Sequence, residues 1–373
     1  MPMNQVAIVV HEDKLAALRG DDPCDLLRWA LRERGEPPPK RYPTSSGDGG
    51  GEAARAALAD GARLVVVCGG DGTVNACAAV LAGTGVPMAV VPIGTGNLVA
   101  GNLGISPDPA TAVAVAIDGV DRAVDVGRLG GGSGGGPGQS SRQSSAQSYD
   151  QSYDQSSEQS SEQSSEQSSE QSSEQSSEQS SEQSSEQSSE QSSDGVMVGM
   201  AGVGLDAAMV QDAPRWLKQR IGWPAYVVSL LRHLADRGFA AEIEVDGRRT
   251  SHRHVRTVVI GNVGGLHGGL SLFPDSQPDD GVLEVAVLAP RTVLGWVPVV
   301  VRLLSGRRGL RGRHDQRQPP TVERLRGRHI VVSARRPLRR ETDGEALADG
   351  SVFEVTVEPG ALLLRTAPAQ DRA

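Results

Sequence analysis

Leu64-Val65-Val66-Val67-Cys68 runs directly into Gly69-Gly70-Asp71-Gly72-Thr73. The first five residues are apolar and mostly β-branched, the pattern of a parallel strand buried on both faces. Val74-Asn75-Ala76-Cys77-Ala78-Ala79-Val80-Leu81-Ala82 follows, rich in helix formers and stopped by Gly83. The stretch predicts a strand, a glycine loop and a helix. Three glycines let the backbone turn tightly and let a ligand approach the main chain with no Cβ in the way. Loop and helix N-terminus offer free N–H groups and a positive dipole end, which suit a phosphate. Asp71 is the odd member, because a carboxylate repels phosphates. It makes sense beside a divalent cation, or as a group that handles a proton.

A second unit of the same kind follows at once. Val86-Pro87-Met88-Ala89-Val90-Val91 reads as a strand, Pro92-Ile93-Gly94-Thr95-Gly96 as a glycine loop, and Asn97 opens a helix. A lone glycine loop is more often a plain turn, here capped by Asp71 and Thr73. Two loops in succession, each between strand and helix, favour a ligand site. In open α/β sheets such sites lie beyond the carboxyl ends of the strands.

The run VVVCGGDGTVNACAAVLAGTGVPMAVVPIGTGNLVAGNLGI resembles the catalytic domain of the bacterial diacylglycerol kinase and lipid kinase family, which is related to sphingosine kinases. The likeness covers most of the chain outside one low-complexity insert. It implies an ATP–Mg²⁺ site in which Gly69, Gly70, Asp71, Gly72, Thr73, Val74 and Asn75 hold the phosphates. Gly94, Thr95, Gly96 and Asn97 would complete the nucleotide site, with Thr44 as a further contact. Two departures stand out. The family's Asn-Pro-x-x-Gly loop after the first strand is replaced by His11-Glu12-Asp13-Lys14, so no nucleotide contact carries over there; Lys14 could reach a phosphate, and a solvated lysine is the favoured reading. The Asp that often follows GTGN is Leu98.

The formal charge of −9 belongs to the insert. Gln139 to Asp194 holds twelve acids and one base, which leaves 36 bases and 34 acids elsewhere. The Gln-Ser-Ser-Glu repeat up to Ser193 has almost nothing apolar to bury and reads as disordered, set where a hairpin turn is expected. A tolerated repeat expansion is the favoured reading over a phosphorylated serine tract. Cys24, Cys68 and Cys77 lack metal-ligand spacing and read as reduced structural thiols. The N-terminus shows no basic region followed by a signal-length apolar run. No segment reaches the roughly 18 apolar residues of a membrane span. A cytoplasmic protein is therefore expected.

Along the chain, Val6–Val10 reads as the first strand and Cys24–Arg34 as a helix capped by Asp22-Pro23. Arg41–Thr44 reads as a short strand and Glu52–Asp60 as a helix. Ser106-Pro107 is expected to start the last helix of the first domain. Beyond it, Ala123–Leu129 and Asp194–Met200 read as partner strands. Lys218–Arg237 reads as an amphipathic helix, and Ala241–Val245, Asp246-Gly247 and Arg253–Ile260 as a hairpin. His267 reads as a surface residue. Val352–Val357 and Ala361–Thr366 are expected to close a β-rich domain.

The resemblance assigns the remaining chemistry. Pro274–Leu283 resembles a segment that binds a structural Mg²⁺ through the Asp280 side chain and the carbonyls of Gln277 and Val282. Hard oxygen donors suit that ion. Asp343-Gly344-Glu345 matches the family's catalytic acid group, with Glu345 as proton acceptor and Asp343 beside it in the proton or metal network. Read alone, each is a turn between strands.

The expected fold is an α/β three-layer domain over 1–122 and a β-sandwich-like domain over 123–366. The latter is interrupted by the insert at 130–193 and followed by a tail at 367–373. The expected activity is transfer of the ATP γ-phosphoryl to a lipid alcohol, diacylglycerol first. Arginines crowding 302–340 add contact with an anionic membrane surface. No nucleic-acid motif is present. The oligomeric state stays open, a homodimer included. Two rivals remain: an NAD kinase-like enzyme, which shares the GGDGT loop, and a lipid-binding pseudokinase, suggested by Leu98 and the missing Asn-Pro loop.

Overall fold

The computed structural model describes residues 5–45, 48–130, 195–204, 238–265, 271–290, 292–296 and 322–368. The repeat insert, the 218–237 helix, His267 and the arginines from Arg302 to Arg317 lie outside these residues.

Four strands, β1 (Gln5–His11), β2 (Lys40–Thr44), β3 (Ala62–Gly69) and β4 (Met88–Pro92), form a parallel sheet in the order β2-β1-β3-β4. Both faces are covered, so alternate residues serve different cores. Ile8 and Val66 pack with Leu27 and Leu31 of α2 (Pro23–Glu33) and Val113 of α6 (Pro109–Asp118). Val9 and Val67 pack with Ala54 of α3 (Gly51–Ala59) and Leu81 of α4 (Asp71–Leu81). The three cysteines are free and buried, and desolvation raises all three thiol pKa values, that of Cys77 to about 12.

Several local expectations need correction. His11-Glu12-Asp13-Lys14 is not an open loop: α1 (Glu12–Ala17) starts directly at the end of β1, with two acids in its first turn. The last helix of this lobe begins one Ser/Asp-Pro pair later than expected. Asp108 is its N-cap, accepting from Thr111 N at 2.9 Å, and Pro109 is its first residue. After the second glycine loop, α5 (Leu98–Asn102) is only five residues long.

The second lobe is antiparallel. β5 (Val120–Leu129) pairs with β6 (Val196–Met197), and Leu129 N donates to Gly195 O across the base of the insert. Asp246 and Gly247, both at positive φ, turn β8 (Phe239–Val245) into β9 (Arg248–Val255). The expected return strand Arg253–Ile260 is in fact split. β10 (Thr257–Gly261) lies elsewhere, between β7 (Met200–Gly204) and β11 (Leu283–Leu288). β12 (Val322–Gly327) borders β11, and β13 (His329–Thr342) pairs with β7, β8 and β14 (Glu345–Thr366).

The final strand does more than close a β-rich lobe. Its first part pairs with β13, its last part with β5, and Leu364 pairs in parallel with Met88 of β4. Leu362 and Leu364 sit in the core of the α/β lobe with Val65 and Val90. Among the described residues, fourteen strands thus belong to one sheet system that runs through both lobes.

Candidate active site

The two glycine loops form one cradle. A Cβ built on Gly94 would stand 2.6 Å from the Gly70 Cα, and one on Gly69 would stand 2.6 Å from the Thr73 Cβ. Only glycine permits this packing of β3 and β4 ends. Asn97, at φ 49°, closes the second loop on itself: its Oδ1 accepts from Gly94 N at 3.0 Å and its Nδ2 donates to Gly94 O at 2.8 Å. Thr95 projects from that loop and Gly96 follows it half-buried. Asp71 is the first residue of α4, and its Oδ1 accepts from Val99 N at 3.4 Å, tying the first loop to α5.

Other expected contacts face inward. Val74 is core, and Asn75 is buried with its Oδ1 unpaired. Thr44 is buried and donates its hydroxyl to Asp48, whose carboxyl is held below its ordinary pKa chiefly by that bond.

Asp343 and Gly344, at φ 48° and 84°, form the two-residue turn from β13 to β14, with Thr342 opposite Glu345. The turn is pinned from below. Asp343 Oδ2 accepts from Val198 N, and Oδ1 accepts from Gly199 N and Met200 N, each at 2.8 Å; Asp343 N donates to Met200 O at 2.7 Å. Glu341 Oε2 takes Gly344 N at 2.9 Å. Burial raises the Asp343 carboxyl to about 6, against the pull of its three N–H donors. Asp343 is therefore occupied with backbone, and Glu345 is the carboxylate that the turn delivers.

Glu345 lands on the glycine loop. A Cβ on Gly72 would overlap its Oε1. The residue opens to solvent, but crowding around its carboxylate raises its pKa, Asp71 adds to the rise, and Lys14 opposes it. Lys14 itself is half-buried, with Nζ 2.6 Å from where a Gly70 Cβ would be. Sequence reasoning favoured a solvated Lys14 over a phosphate contact because it read no helix at Glu12.

The glycine loops at the N-terminus of α4 suit a nucleotide's phosphates, with Gly72 and Gly94 partly exposed and Gly69 and Gly70 buried beneath them. Around the expected structural metal ligands, Asp280 Oδ2 meets Arg326 Nη2 at 2.7 Å, and Arg326 Nε meets Glu284 at 2.7 Å. Asp280 Oδ1 accepts from Val282 N at 3.2 Å. Among the described residues no three His, Cys, Asp or Glu side chains cluster as metal ligands. Asp125 was not foreseen. Buried in β5, it accepts from Gly281 N at 2.6 Å and Gly360 N at 2.8 Å, holding the Gln277–Val282 turn against the sheet. A lone acid inside Val124-Asp125-Val126 was its signal. Asn102 links the lobes, accepting from Gly265 N at 2.7 Å and donating to Gly265 O at 2.9 Å.

Two family models match the chain in succession. The diacylglycerol kinase catalytic domain model matches residues 9–129, and the YegS C-terminal NAD kinase beta sandwich-like domain model matches 199–366. A diacylglycerol kinase of Mycobacterium tuberculosis is 41% identical over 75 residues, which is 20% of this chain and 24% of that protein. A Pseudomonas fluorescens protein named "probable lipid kinase YegS-like" is 26% identical over 310 residues, 82% of this chain and 78% of its own. An uncharacterised Synechocystis protein is 24% identical over 308 residues, 81% of this chain but only 54% of its own length. The fold also matches the crystal structure of a Bacillus anthracis diacylglycerol kinase, with TM-score 0.63 and 18% identity over 98% of each chain. With one domain of each kind built on one sheet system, the chain belongs to the diacylglycerol kinase and lipid kinase family.

Proposed function

We propose that the chain transfers the γ-phosphoryl group of ATP to a lipid hydroxyl, with diacylglycerol as acceptor and phosphatidic acid as product. The observation that carries this reading is the Glu345 carboxylate lying on Gly72, at the mouth of the glycine cradle. Phosphates held on Gly69–Thr73 and the N-terminus of α4 would put the γ-phosphorus beside that carboxylate. Glu345 takes the proton of the lipid hydroxyl, the freed oxygen attacks phosphorus, and the bond to the β,γ-bridging oxygen breaks with its electrons leaving on ADP. Asp343 acts as a positioning residue through the backbone at 198–200.

Mg²⁺, when bound with ATP, would neutralise phosphate charge, and Asp71 is the carboxylate best placed to meet it. Asp280 with the carbonyls of Gln277 and Val282 offers hard donors for a structural Mg²⁺, in competition with Arg326 for the carboxylate. Arginines of the second lobe, Arg335 and Arg336 among the exposed ones, support docking on an anionic membrane. No described helix is long and apolar enough to cross a membrane. Labelled ATP offered with diacylglycerol, sphingosine and NAD tests the acceptor: label in phosphatidic acid is expected, and label only in NADP would replace this reading with an NAD kinase.

A further inference from the structure

We propose that Lys14 is a phosphate-binding residue of this nucleotide site, its ammonium closing the cradle from the β1 side and gripping the outer phosphates over Gly70. The inference rests on the ATP-dependent reading above.

Three observations lead to it. The first is placement. α1 starts with no intervening loop at the end of β1, so its first turn swings the third residue, Lys14, back over the end of the neighbouring strand β3. Its Nζ comes within 2.6 Å of the Cβ position that Gly70 leaves empty. A solvated lysine on a short helix would point outward; this one is half-buried and lies along a glycine.

The second is charge. The groups around the loop are otherwise acidic: Asp71 in it, Glu345 on Gly72, and Asp343 behind, which feels the Asp71 charge. A polyphosphate entering this setting meets like charge unless a cation accompanies it. Lys14 is the basic residue whose charge reaches Glu345, and no ion pair holds it among the described residues. Its ammonium is free to exchange water for phosphate oxygens.

The third is the division of space. Lys14 covers Gly70 while Glu345 covers Gly72. The two side chains flank Asp71 from opposite lobes, one marking where phosphate charge is held and the other where a proton is taken. A point charge with three donors suits phosphate oxygens at this range.

The test uses the full chain with Lys14→Met and Lys14→Arg. Binding of ATP and of adenosine is measured by calorimetry, and KM for ATP and kcat by phosphoryl transfer to diacylglycerol. A charge-assisted phosphate contact predicts ATP affinity weaker by about 10- to 100-fold in Lys14→Met. Adenosine affinity and melting temperature should be unchanged, and Lys14→Arg should recover most of the loss. Equal ATP affinity in wild type and Lys14→Met, or equal losses for ATP and adenosine, would overturn the role of Lys14 while wild-type transfer left the kinase reading standing. Wild-type protein that binds no nucleotide would overturn both.

Discussion

The Glu345 carboxylate occupies the space that a side chain on Gly72 would need, so the proposed base and the Gly69–Thr73 loop touch across the two lobes. Gly72→Ala should push that carboxylate away while helping α4, since Gly in a helix costs about 0.5–1 kcal/mol relative to Ala. We expect a melting temperature equal to or above wild type, with kcat lower by about 100-fold, the scale of a misplaced reacting group. Unchanged kcat would show that the contact has no part in transfer.

Asp343 holds three backbone N–H groups at 198–200. Asp343→Ala strands them in the interior, at about 1–3 kcal/mol for each buried donor left unsatisfied. Unfolding by urea should show a loss of at least several kcal/mol, against a smaller loss in Asp343→Asn, whose amide oxygen can still accept from Gly199 N and Met200 N while Val198 N loses its acceptor.

The same carboxyl gives a pH signature. Its folded pKa of about 6 lies above the ordinary 3.8. The folded state therefore favours the protonated form, and the stability tied to it is present below pH 3.8 and lost as pH rises through 6. Wild type should lose about 2–3 kcal/mol from this source between pH 4 and pH 8. Asp343→Asn should lack that slope in urea titrations across the range.

Crowding that desolvates the carboxylate raises the Glu345 pKa, with Asp71 adding to the rise and Lys14 opposing it. The acid limb of kcat/KM should accordingly lie above the ordinary glutamate value of 4.5. Lys14→Met should move the limb to higher pH, because the charge that opposes the rise is gone. A limb unmoved by Lys14→Met would mean that the base is another group.

Arg326 bridges Asp280 and the buried Glu284, whose pKa burial raises and Arg326 lowers. Arg326→Ala leaves those carboxylates with no cation between them. Its melting temperature should fall in chelator and recover with added Mg²⁺, while wild type should change little. A variant indifferent to Mg²⁺ would argue against any metal at this turn.

The sequence made the α/β lobe legible because its signals are local. A β-branched run before Gly69 and helix formers after Thr73 identify strand, loop and helix without knowledge of the rest. Asp343-Gly344 announced its turn in the same way, since both residues tolerate positive φ. Long-range placement was not legible. Nothing in Leu362 or Leu364 says that they pack beside Val65, because an apolar strand end suits either lobe. Lys14 looked like solvent because its position depends on a six-residue helix with no periodicity to read. Asp343 and Glu345 look alike in sequence, and only the pairing of β13 with β7 separates the anchor from the proposed base.

The most direct test of the account is transfer from labelled ATP–Mg²⁺ to diacylglycerol in mixed micelles, with wild type beside Glu345→Gln. The account predicts labelled phosphatidic acid from wild type and, from a Glu345→Gln protein that still binds ATP, a rate lower by about 100-fold or more, the scale of a lost general base. Equal rates from the two proteins would contradict the role of Glu345, and no label in lipid from wild type would contradict the reaction itself.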